Sequence, residues 1–414
     1  MVCLRRKAED FSQNHRLSMK VVCFTAYHVR IPFKHRVRHA LSEREGNDTL
    51  IVSCQLDNGV IGWGEGVPRD YVTGETIDQV WHGLLEQPWW HVWREPWRYD
   101  DELLERLRSW HPLPAAARGP RGCLGNAWRC AFELSVCDAW CRTHHLPLTQ
   151  WLMQWPEVTP LRRSAPLTRL RYSAVLTGRS LWRQQMLGCA LRLAGLKHVK
   201  VKLGLAGTDD VTLVRTLRRC LGSQCELRGD ANGAYTVTSL PFVMDRLAPF
   251  RLAVLEQPLP HAELTYLRHT RGQWPIPIML DESLCSELDA HLAIECGYCD
   301  QFNLRISKCG GLLPSVRIAC LAQQAGLGWQ IGCQVGETSI LSAAGRHLAC
   351  ALQGWQVLEG SYDRWLLKTP LTNCRLSWGY GGWASALTAP GLGVQPNVTM
   401  LQQLTVRHLI MPLQ

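Results

Sequence analysis

The chain has 414 residues, of which 46% are hydrophobic and 19% are charged. This composition is too apolar for a disordered chain, and a typical domain of about 150 residues predicts two or three domains. The sequence contains no run of 18 or more apolar residues of the kind that spans a membrane, so we expect a soluble globular protein.

The formal net charge of +10 is concentrated near the N-terminus. Residues 1–40 contain nine Lys or Arg and two acidic residues, a local charge of +7, which leaves +3 for the other 374 residues. Nucleic-acid-binding proteins usually carry a basic stripe on their main fold. We therefore expect neither a nucleic-acid partner nor a membrane partner.

Cysteine usage indicates the compartment. The 18 cysteines are irregularly spaced, and the apolar run Val21–Val29 lacks the cleavage site of a secretory leader. We interpret the cysteines as reduced, buried thiols of a cytoplasmic protein. Cys296 and Cys299 form a C-x-x-C pair without a second pair, so their role is left open.

The first regular element is predicted to follow an N-terminal tail. Residues 1–19 match no element and are predicted to be a disordered or misassigned tail, with either Met1 or Met19 as the start. Val21–Ile31 then predicts a strand that ends at Pro32, because proline cannot donate to a strand ladder.

A hairpin and helices complete the predicted N-terminal module. Leu50–Leu56 and Val60–Glu65 are apolar runs on either side of Asn58-Gly59, a pair that favours a tight turn with positive φ at both residues. Helical patterns follow over 75–110 and 123–145. Strands followed by helices indicate an α+β module over residues 20–150.

From about residue 165, short apolar strands alternate with amphipathic helices. Eight such units predict an α/β fold, a (β/α)8-type barrel over residues 165–375 with the last helix missing or displaced. The predicted strands are 171–176, 198–203, 225–229, 252–255, 276–280, 301–306, 329–331 and 355–358. Residues 376–414 are predicted to return to the N-terminal module, which caps the barrel.

Charged residues mark the ends of five consecutive predicted strands. They are Lys202, Asp230, Glu256, Asp281 and Lys308. Their spacings are 28, 26, 25 and 27 residues, one for each strand–helix unit. Barrel active sites assemble at the C-terminal ends of the strands, so this register predicts that the five side chains share one site.

The three carboxylates lie on adjacent predicted strands, so their side chains are expected to converge. Neighbouring anions repel one another unless a cation lies between them, and an all-oxygen site suits Mg²⁺, with Mn²⁺ as the alternative ion. We therefore predict that Asp230, Glu256 and Asp281 bind the metal.

The two lysines are expected on opposite walls of the barrel, because strands two and six are four apart in a ring of eight. A fixed divalent charge stabilises the anion formed when a proton is removed α to a carboxylate. Lys202 and Lys308 are therefore the predicted acid–base pair. Lys200 points the same way as Lys202, so its charge is expected to lower the pKa of Lys202.

At these residues the chain resembles the enolase superfamily, in particular its muconate-lactonizing-enzyme subgroup, over roughly residues 20–396. The subgroup has Lys-x-Lys at the end of strand two, Asp, Glu and Asp on strands three to five, and Lys at the end of strand six. Similar neighbouring motifs are Gly62-Trp63-Gly64-Glu65, Gly229-Asp230-Ala231-Asn232-Gly233, Leu255-Glu256-Gln257-Pro258, Leu280-Asp281-Glu282-Ser283, Lys308-Cys309-Gly310-Gly311 and Pro390-Gly391-Leu392-Gly393-Val394. The resemblance implies a Mg²⁺-dependent enzyme that often forms homo-oligomers.

The resemblance also implies that loops of the cap select the substrate. The basic loop near residues 32–44 is predicted to favour an anionic substrate group through Arg36 and Arg38. Weaker candidates for contacts at the site are Asn232, Arg69, Tyr71, Glu337 and Glu359. Dipeptide epimerases of the subgroup carry Asp-x-Asp after strand eight, and this chain has Glu359-Gly360-Ser361 there, which puts dipeptide specificity in doubt.

These residues predict an isomerase that abstracts the α-proton of a small carboxylate substrate. Two opposed lysines favour a racemase or epimerase of an amino-acid derivative, or a cycloisomerase. The alternative within the family is a β-elimination like that of o-succinylbenzoate synthase, in which the partner lysine only stabilises the enolate. Outside the enzymes, the alternative is a barrel that binds without catalysis.

Overall fold

The computed structural model describes residues 18–39, 42–86 and 89–413. The strands are β1 (Val21–His39), β2 (Ser42–Leu56), β3 (Ile61–Gly66), β4 (Arg169–Arg171), β5 (Ala174–Leu176), β6 (His198–Lys202), β7 (Glu226–Asp230), β8 (Leu255–Glu256), β9 (Ile278–Leu280), β10 (Gln301–Leu304), β11 (Gly328–Ile331), β12 (Trp383–Ser385) and β13 (Thr405–Pro412). The α-helices are α1 (Ile77–Glu86), α2 (Asp100–Ser109), α3 (Asn126–Thr143), α4 (Leu148–Leu152), α5 (Leu181–Leu193), α6 (Asp210–Leu221), α7 (Leu240–Leu247), α8 (Glu287–Glu295), α9 (Ile306–Cys309), α10 (Leu312–Gln324), α11 (Ser339–Ala351), α12 (Asp363–Leu366) and α13 (Val398–Leu404).

The N-terminal sheet is antiparallel and has the order β13-β1-β2-β3. The C-terminal strand β13 therefore lies beside β1, at the opposite edge from β3. Met19 exchanges two backbone hydrogen bonds with Trp97, at 2.9 and 2.8 Å, so the last residue of the predicted tail is attached to the cap. Residues 1–17 of that tail lie outside the described residues.

The prediction that the first strand ends at Pro32 is wrong. Strand β1 continues to His39, with Pro32 opposite Gly46 and Val37 opposite Arg44. The register shifts between Pro32 and Val37, and proline is tolerated in a strand at such an irregularity because its missing N–H is not needed there. The predicted loop over residues 32–44 is therefore mostly the end of a long hairpin, of which residues 40–41 lie outside the described part.

The predicted hairpin between β2 and β3 is present, but its turn differs from the prediction. Gly59 has φ +83°, whereas Asn58 does not have a positive φ. Residues 57–59 form a three-residue connection closed by the hydrogen bond from the Leu56 N–H to the Val60 carbonyl at 3.0 Å. Three-residue hairpin loops need a left-handed residue only at their last position, which glycine supplies.

Helix α3 packs directly on strand β3, and the glycines of that strand make this possible. Gly62, Gly64 and Gly66 point to one face, and a Cβ on Gly64 would lie 1.9 Å from the carbonyl oxygen of Ala131. The Trp residues over 81–110 belong to the core of the cap. Five of the six are buried, and the centroid of the Trp89 ring lies 4.3 Å from that of Phe132. They pack as core residues.

The second sheet has seven parallel strands in the order β5 to β11, as expected for a modified barrel. Its ring is closed by Leu358, which bridges to Ile331 on one side and Tyr172 on the other. The predicted eighth strand over 355–358 is thus reduced to one bridge residue, because Gly354 and Gly360 turn the chain away with positive φ on either side of it.

The predicted first barrel strand over 171–176 is divided in the structure. Strand β4 pairs with β12 in a separate two-stranded sheet, and only β5 belongs to the barrel. The division occurs at Tyr172, whose N–H donates to the carbonyl of Gly382 at 2.8 Å. The segment before β5 is therefore paired with the C-terminal part of the chain.

The described cysteines are all free thiols. Cys296 and Cys299 are buried, and burial raises the pKa of the Cys299 thiol. The structure places no metal-ligand cluster around them among the described residues. Within the described residues, no helix is long and apolar enough to cross a membrane.

Candidate active site

Three carboxylates form a row across the ends of neighbouring barrel strands. Asp230 and Glu256 are the last residues of β7 and β8 and lie opposite each other in the sheet register. Asp281 follows β9 directly. All three are completely buried. The strand-end register thus brings the predicted metal-binding residues to one edge of the barrel, as the parallel order of the strands requires.

The two predicted acid–base lysines lie at opposite ends of this row. The Nζ of Lys202 is 2.6 Å from Oδ2 of Asp230, and the Nζ of Lys308 is 2.8 Å from Oδ1 of Asp281. The side chain of Lys202 is 11% exposed and that of Lys308 is 0% exposed. Both ammonium groups are therefore bound to the row in a nearly water-free site, where such pairs are weakly screened.

Lys308 is held more firmly than a single ion pair would hold it. Its Nζ also donates to the backbone carbonyls of Asp281 and Asn303, each at 2.7 Å. Lys308 itself lies in the short helix α9, four residues beyond the end of β10, whereas Lys202 is the last residue of β6. The helical turn gives Lys308 the reach that the strand end alone does not supply.

Lys200 lies beneath the row and contacts several carboxylates at once. Its Nζ is 3.1 Å from Glu256, 2.8 Å from Glu359 and 3.4 Å from Asp230. Burial alone would lower the pKa of Lys200, but these three carboxylates outweigh it and raise that pKa. Lys200 is therefore a fixed positive charge that holds the carboxylates of Asp230 and Glu256, at the ends of β7 and β8, in position.

The charges of the row are unequal. Burial by itself raises the pKa of a carboxyl, but Lys202 and Lys200 outweigh it at Asp230 and hold its pKa low. Arg305 and Lys308 do the same for Asp281. At Glu256, burial and the charge of Asp230 prevail and raise the pKa to about 8. The middle carboxylate is thus the one least compensated by the protein's own cations.

Two arginines of the site were missed by the sequence reasoning. Arg305 contacts Oδ2 of Asp281 and lies 3.6 Å from Glu256. Arg228 lies 2.9 Å from Glu359 and donates to Ser173 Oγ at 2.7 Å. One signal was available for Arg305, because it precedes Lys308 by one helical turn; Arg228 sits mid-strand, where the sequence gives no sign of a buried charge.

Asn232, a weaker candidate for a contact at the site, lies beside Lys202 in the structure. Its Oδ1 accepts from the Nζ of Lys202 at 2.8 Å, and its Nδ2 donates to Glu282 at 2.7 Å. The φ of Asn232 is +45°, a left-handed conformation that asparagine tolerates. This turn directs the amide oxygen back to the lysine.

Glu359 and Glu337 both lie near the end of the barrel but contact protein groups. The carboxylate of Glu359 is occupied by Lys200 and Arg228. Glu337 accepts from the Gln334 N–H at 3.1 Å and from Ser342 at 3.0 Å, and burial raises its pKa to about 8. Glu337 caps its own turn at the start of α11.

The cap candidates are spread over the hairpin and the loop after β3. Arg69 is buried and donates to the carbonyls of Pro68 and Val335, at 2.7 and 2.8 Å. The guanidinium of Arg44 lies over the ring of Tyr71, 5.4 Å from its centroid. Arg36 is 62% exposed and lies 2.5 Å from Glu45, and the side chain of Arg38 is outside the described part of the structure.

The cap is attached to the barrel through buried polar contacts. Glu65 accepts from the N–H of Thr338 at 2.9 Å and of Leu341 at 3.1 Å, which caps the start of helix α11. Asn126, the first residue of α3, donates to the carbonyl of Lys308 at 2.8 Å. The cap therefore fixes the backbone that carries Lys308.

Within the described residues, no three carboxylate, imidazole or thiol side chains are already arranged as ligands around one point. Lysine and arginine side chains stand against the carboxylates instead, as the distances above show. The row is thus a set of buried oxygen donors paired with the protein's own cations.

Comparison with known proteins identifies the family of this architecture. The family Enolase C-terminal domain-like matches residues 185–400. The L-Lys-D/L-Arg epimerase of Methylococcus capsulatus is 30% identical over 356 residues, covering 83% of this chain and 91% of that protein. The N-succinyl-L-Arg/Lys racemase of Bacillus cereus is 24% identical over 410 residues, covering 94% and 98%. The o-succinylbenzoate synthase of Bacillus subtilis is 25% identical over 385 residues, covering 92% and 95%.

Solved structures share the fold over nearly the whole chain. The N-succinyl Arg/Lys racemase from Bacillus cereus has a TM-score of 0.79 at 22% identity, covering 95% of this chain and 100% of that chain. The dipeptide epimerase from Enterococcus faecalis, complexed with Mg and the dipeptide L-Leu-L-Tyr, has a TM-score of 0.76 at 23% identity, covering 91% and 99%. Because the family match spans half of the sequence and the Methylococcus relative most of it, the chain belongs to the enolase superfamily, in its mandelate racemase and muconate lactonizing enzyme-like branch.

Proposed function

We propose that this protein is a Mg²⁺-dependent isomerase that removes and returns the α-proton of a small carboxylate substrate, as a racemase or epimerase of an amino-acid derivative. The observation that carries the proposal is the pair of ammonium groups at the two ends of one buried carboxylate row, Lys202 beside Asp230 and Lys308 beside Asp281. The relatives named as epimerase and racemase support it.

The donor set fits Mg²⁺. Asp230, Glu256 and Asp281 offer carboxylate oxygens, which a hard divalent cation prefers, and they are buried on neighbouring strands. The pKa of about 8 at Glu256 is what a buried carboxyl shows when cationic compensation is insufficient. These three residues would hold the ion, whose charge would stabilise the negative charge that develops on the substrate.

The two lysines supply the proton transfers in this proposal. Burial alone would lower the pKa of Lys308, but Asp281 outweighs it and raises that pKa, so Lys308 carries a proton that it can donate. Lys202 is oriented by Asp230 and by the amide oxygen of Asn232, and it is the more exposed of the two. One lysine on each side of the row allows removal on one face and return on the other.

The surroundings of Glu359 bear on the substrate. A free α-ammonium group would need a carboxylate partner near the end of strand eight, but Glu359 is paired with Lys200 at 2.8 Å and with Arg228 at 2.9 Å. Pulling it away would leave two buried cations short of a partner, which costs several kcal/mol. We therefore propose that the substrate has an acylated amine and is not a dipeptide with a free amino terminus.

The test is α-proton exchange in D₂O with Mg²⁺-loaded protein. N-acyl amino acids form one pool and dipeptides another, and each pool is prepared once for each configuration. The pools are incubated separately, and deuterium at the α-carbon is measured by mass spectrometry. The proposal expects exchange from both enantiomers in the parent protein. Lys202→Ala and Lys308→Ala should each lose exchange from one enantiomer, by about 10³-fold or more, and keep exchange from the other.

Lys197→Ala is the matched control, because Lys197 is exposed at the opposite end of β6 and should leave both rates unchanged. The two-face assignment is wrong if one lysine variant abolishes exchange from both enantiomers while the other has little effect. Exchange from dipeptides alone would contradict the proposed acylated amine and leave the acid–base assignment intact.

The second candidate is a β-elimination, and the 25% identity to an o-succinylbenzoate synthase favours it. In that reaction one lysine removes the proton and a leaving group departs from the β-carbon, so no second face is protonated. Mass spectrometry separates the two: elimination gives a product lighter by the leaving group, whereas racemisation in D₂O gives one heavier by a single deuterium.

A further inference from the structure

A cavity of about 240 Å³ lies between the cap and the barrel, next to the Lys308 backbone and separate from the carboxylate row. It is lined by His111, Arg118, Asn126 and Arg129 from the cap and by Ser286 and Cys309 from the barrel. Lys308 is not among its lining residues; the link to it is Asn126, which donates to the Lys308 carbonyl at 2.8 Å.

Three helices begin at this cavity. Helix α3 starts at Asn126, α8 starts at Glu287, and α10 starts at Leu312, with Pro314 in the cavity wall. Each helix N-terminus carries a partial positive charge. At the start of α3 that charge already faces a carboxylate, because the Ala127 N–H donates to Glu75 at 3.2 Å. Several of the terminal N–H groups are already capped, for example the Leu313 N–H by Glu133 at 2.9 Å, so side chains must supply the ligand contacts.

The side chains that face the cavity include a buried cation with an unused donor. Arg129 is 8% exposed, and its Nε has no hydrogen-bond partner among the described residues; its Nη2 donates to the Leu107 carbonyl at 3.0 Å. A buried guanidinium N–H without an acceptor costs free energy, so the geometry calls for an acceptor that the protein does not provide.

His111 offers a second unused atom. Its Nδ1 lies 3.0 Å from both the N–H and the carbonyl oxygen of Leu113, and its Nε2 is buried without a partner among the described residues. Burial and the charges of Arg118 and Arg129 lower the pKa of His111 to about 3, which keeps the ring neutral. His111 is therefore a neutral ring beside two arginines, and the tautomer with its proton on Nε2 would donate into the cavity.

The acidic residues around the cavity do not neutralise both arginines. Glu287 lines the cavity and pairs with Arg317 at 3.5 Å. Glu133 lies one helical turn after Arg129, but its carboxylate caps α10. The Nε of Arg118 donates to a backbone carbonyl, that of Leu113 at 3.1 Å. The cavity keeps polar side-chain atoms, the Nε of Arg129 and the Nε2 of His111, that have no hydrogen-bond partner among the described residues.

We propose that this cavity binds a small oxyanion of the phosphate, sulfate or carboxylate class between Arg118, Arg129 and His111. Its volume is below the roughly 300–1,000 Å³ of pockets that hold drug-sized ligands, which restricts the ligand to a small ion. Because residues of both the cap and the barrel line it, the bound ion stabilises the docked arrangement of the two. The site is independent of the proposed reaction.

The experiment is thermal unfolding of the full chain in the presence of sodium phosphate, sulfate or acetate, each compared with chloride at equal ionic strength. Ligand at ten times its dissociation constant should raise the unfolding midpoint by roughly 2 °C, and the rise should saturate. The three anions together identify which oxyanion geometry the site prefers.

Arg118→Gln is the decisive variant: Arg118 is half-buried, and glutamine removes its charge while keeping an N–H donor that can reach the Leu113 carbonyl. An unfolding midpoint in chloride equal to that of the parent shows that the variant folds. Arg118→Gln should weaken the anion response at least tenfold in concentration, and Arg129→Gln should remove it. Arg94→Gln, an exposed arginine of the cap away from the cavity, should respond like the parent. A crystal soaked in selenate should show an anomalous peak in the cavity.

The proposal is overturned if no oxyanion stabilises the parent more than chloride does. It is also overturned if Arg118→Gln keeps the parent response, or if the selenate peak lies elsewhere. The unfolding midpoints and the anomalous peak do not depend on enzymatic activity. They therefore test the anion site whether or not the proposed isomerase reaction is found.

Discussion

The end of the barrel and the tip of the cap hairpin are both rich in charge, but the charges are held in different ways. At the barrel end, Lys200 is 3% exposed and lies within 3.4 Å of three carboxylates. At the hairpin, Arg36 is 62% exposed and its carboxylate partner Glu45 is 69% exposed. Buried pairs are strong and specific in position, whereas exposed pairs contribute about 0–1 kcal/mol.

The difference separates a rigid site from an adaptable surface. Removing one partner from the buried row leaves another charge uncompensated, so each residue there is needed by its neighbours. A hairpin arginine can lose its partner to solvent at little cost, and it stays available to other anions. The reaction is therefore expected to depend sharply on the barrel residues, and substrate preference only gradually on the hairpin.

The largest effect is expected at the middle of the row. Glu256→Gln replaces the middle carboxylate by an amide that cannot ionise when the ion binds, and it should lower kcat/KM by on the order of 10³, because a bound divalent ion contributes several kcal/mol to the transition state. The rate is measured by α-deuterium exchange, and Mg²⁺ binding by the shift in unfolding midpoint on adding the ion.

Asp245→Asn is the control for that substitution, since Asp245 is exposed on helix α7. It should retain the parent rate and the parent Mg²⁺ response. If Glu256→Gln keeps both its rate within tenfold and its Mg²⁺-dependent stabilisation, the row is not the metal site and the comparison above fails.

A smaller effect is expected where the cap meets the barrel away from the row. His347 of α11 is buried, with the Thr149 N–H donating to its Nδ1 at 3.2 Å, and burial lowers its pKa to about 4. The unfolded chain binds a proton near pH 6.5, so the free energy of unfolding falls as the pH drops from 6.5 towards 4. Between pH 7.5 and 5 this group should account for about 2 kcal/mol.

Urea unfolding at the two pH values measures this effect. His347→Gln should be less stable at pH 7.5, but it should lose about 2 kcal/mol less than the parent when the pH is lowered. His82→Gln, at an exposed position of α1, should keep the parent pH dependence. Equal slopes for the parent and His347→Gln would show that the folded protein protonates this ring as readily as the unfolded chain does.

The same contrast explains which parts of the site could be predicted from the sequence. The carboxylate row follows from one residue per strand–helix unit, a periodic signal that survives without any knowledge of side-chain packing. The contact of Asn126 with Lys308 joins residues 182 positions apart in the chain, and nothing local in the sequence marks Asn126 as a partner of Lys308. Long-range partners depend on how the cap docks, which the sequence pattern does not describe.

The predictions were wrong where contacts with distant parts of the chain, and not the local sequence, decide the structure. A strand end was predicted at Pro32, but strand β1 continues beyond an irregularity there and the ladder resumes at Val37. Glu359 was a weaker candidate for a contact at the site, and in the structure it lies against the buried cations Lys200 and Arg228. The role of Arg228, in the middle of a barrel strand, becomes clear only from its contact with Glu359 in the structure.

The buried cap anchor should show an intermediate effect. The two oxygens of Glu65 accept from the N–H groups of Thr338 and Leu341, and Glu65→Gln would turn an amide NH₂ towards some of these donors. Leaving buried donors unsatisfied should lower the free energy of unfolding by about 1–2 kcal/mol, measured in urea. Glu86→Gln, on the exposed end of α1, should change it by less than about 0.5 kcal/mol.

The smallest effect is expected at the hairpin. Arg36→Gln should change the free energy of unfolding by less than about 0.5 kcal/mol, because the pair with Glu45 is exposed to solvent. If the hairpin favours anionic substrates, the same variant should raise KM for an N-succinyl amino acid and leave KM for a neutral N-acyl analogue unchanged, with kcat unaffected for both. Glu45→Gln is the matched control: it removes the charge of the carboxylate that lies 2.5 Å from Arg36 and should lower KM for the anionic substrate. If the KM of each substrate is the same in the parent and in both variants, the hairpin charge does not affect substrate binding. Selectivity would then be assigned to the barrel alone.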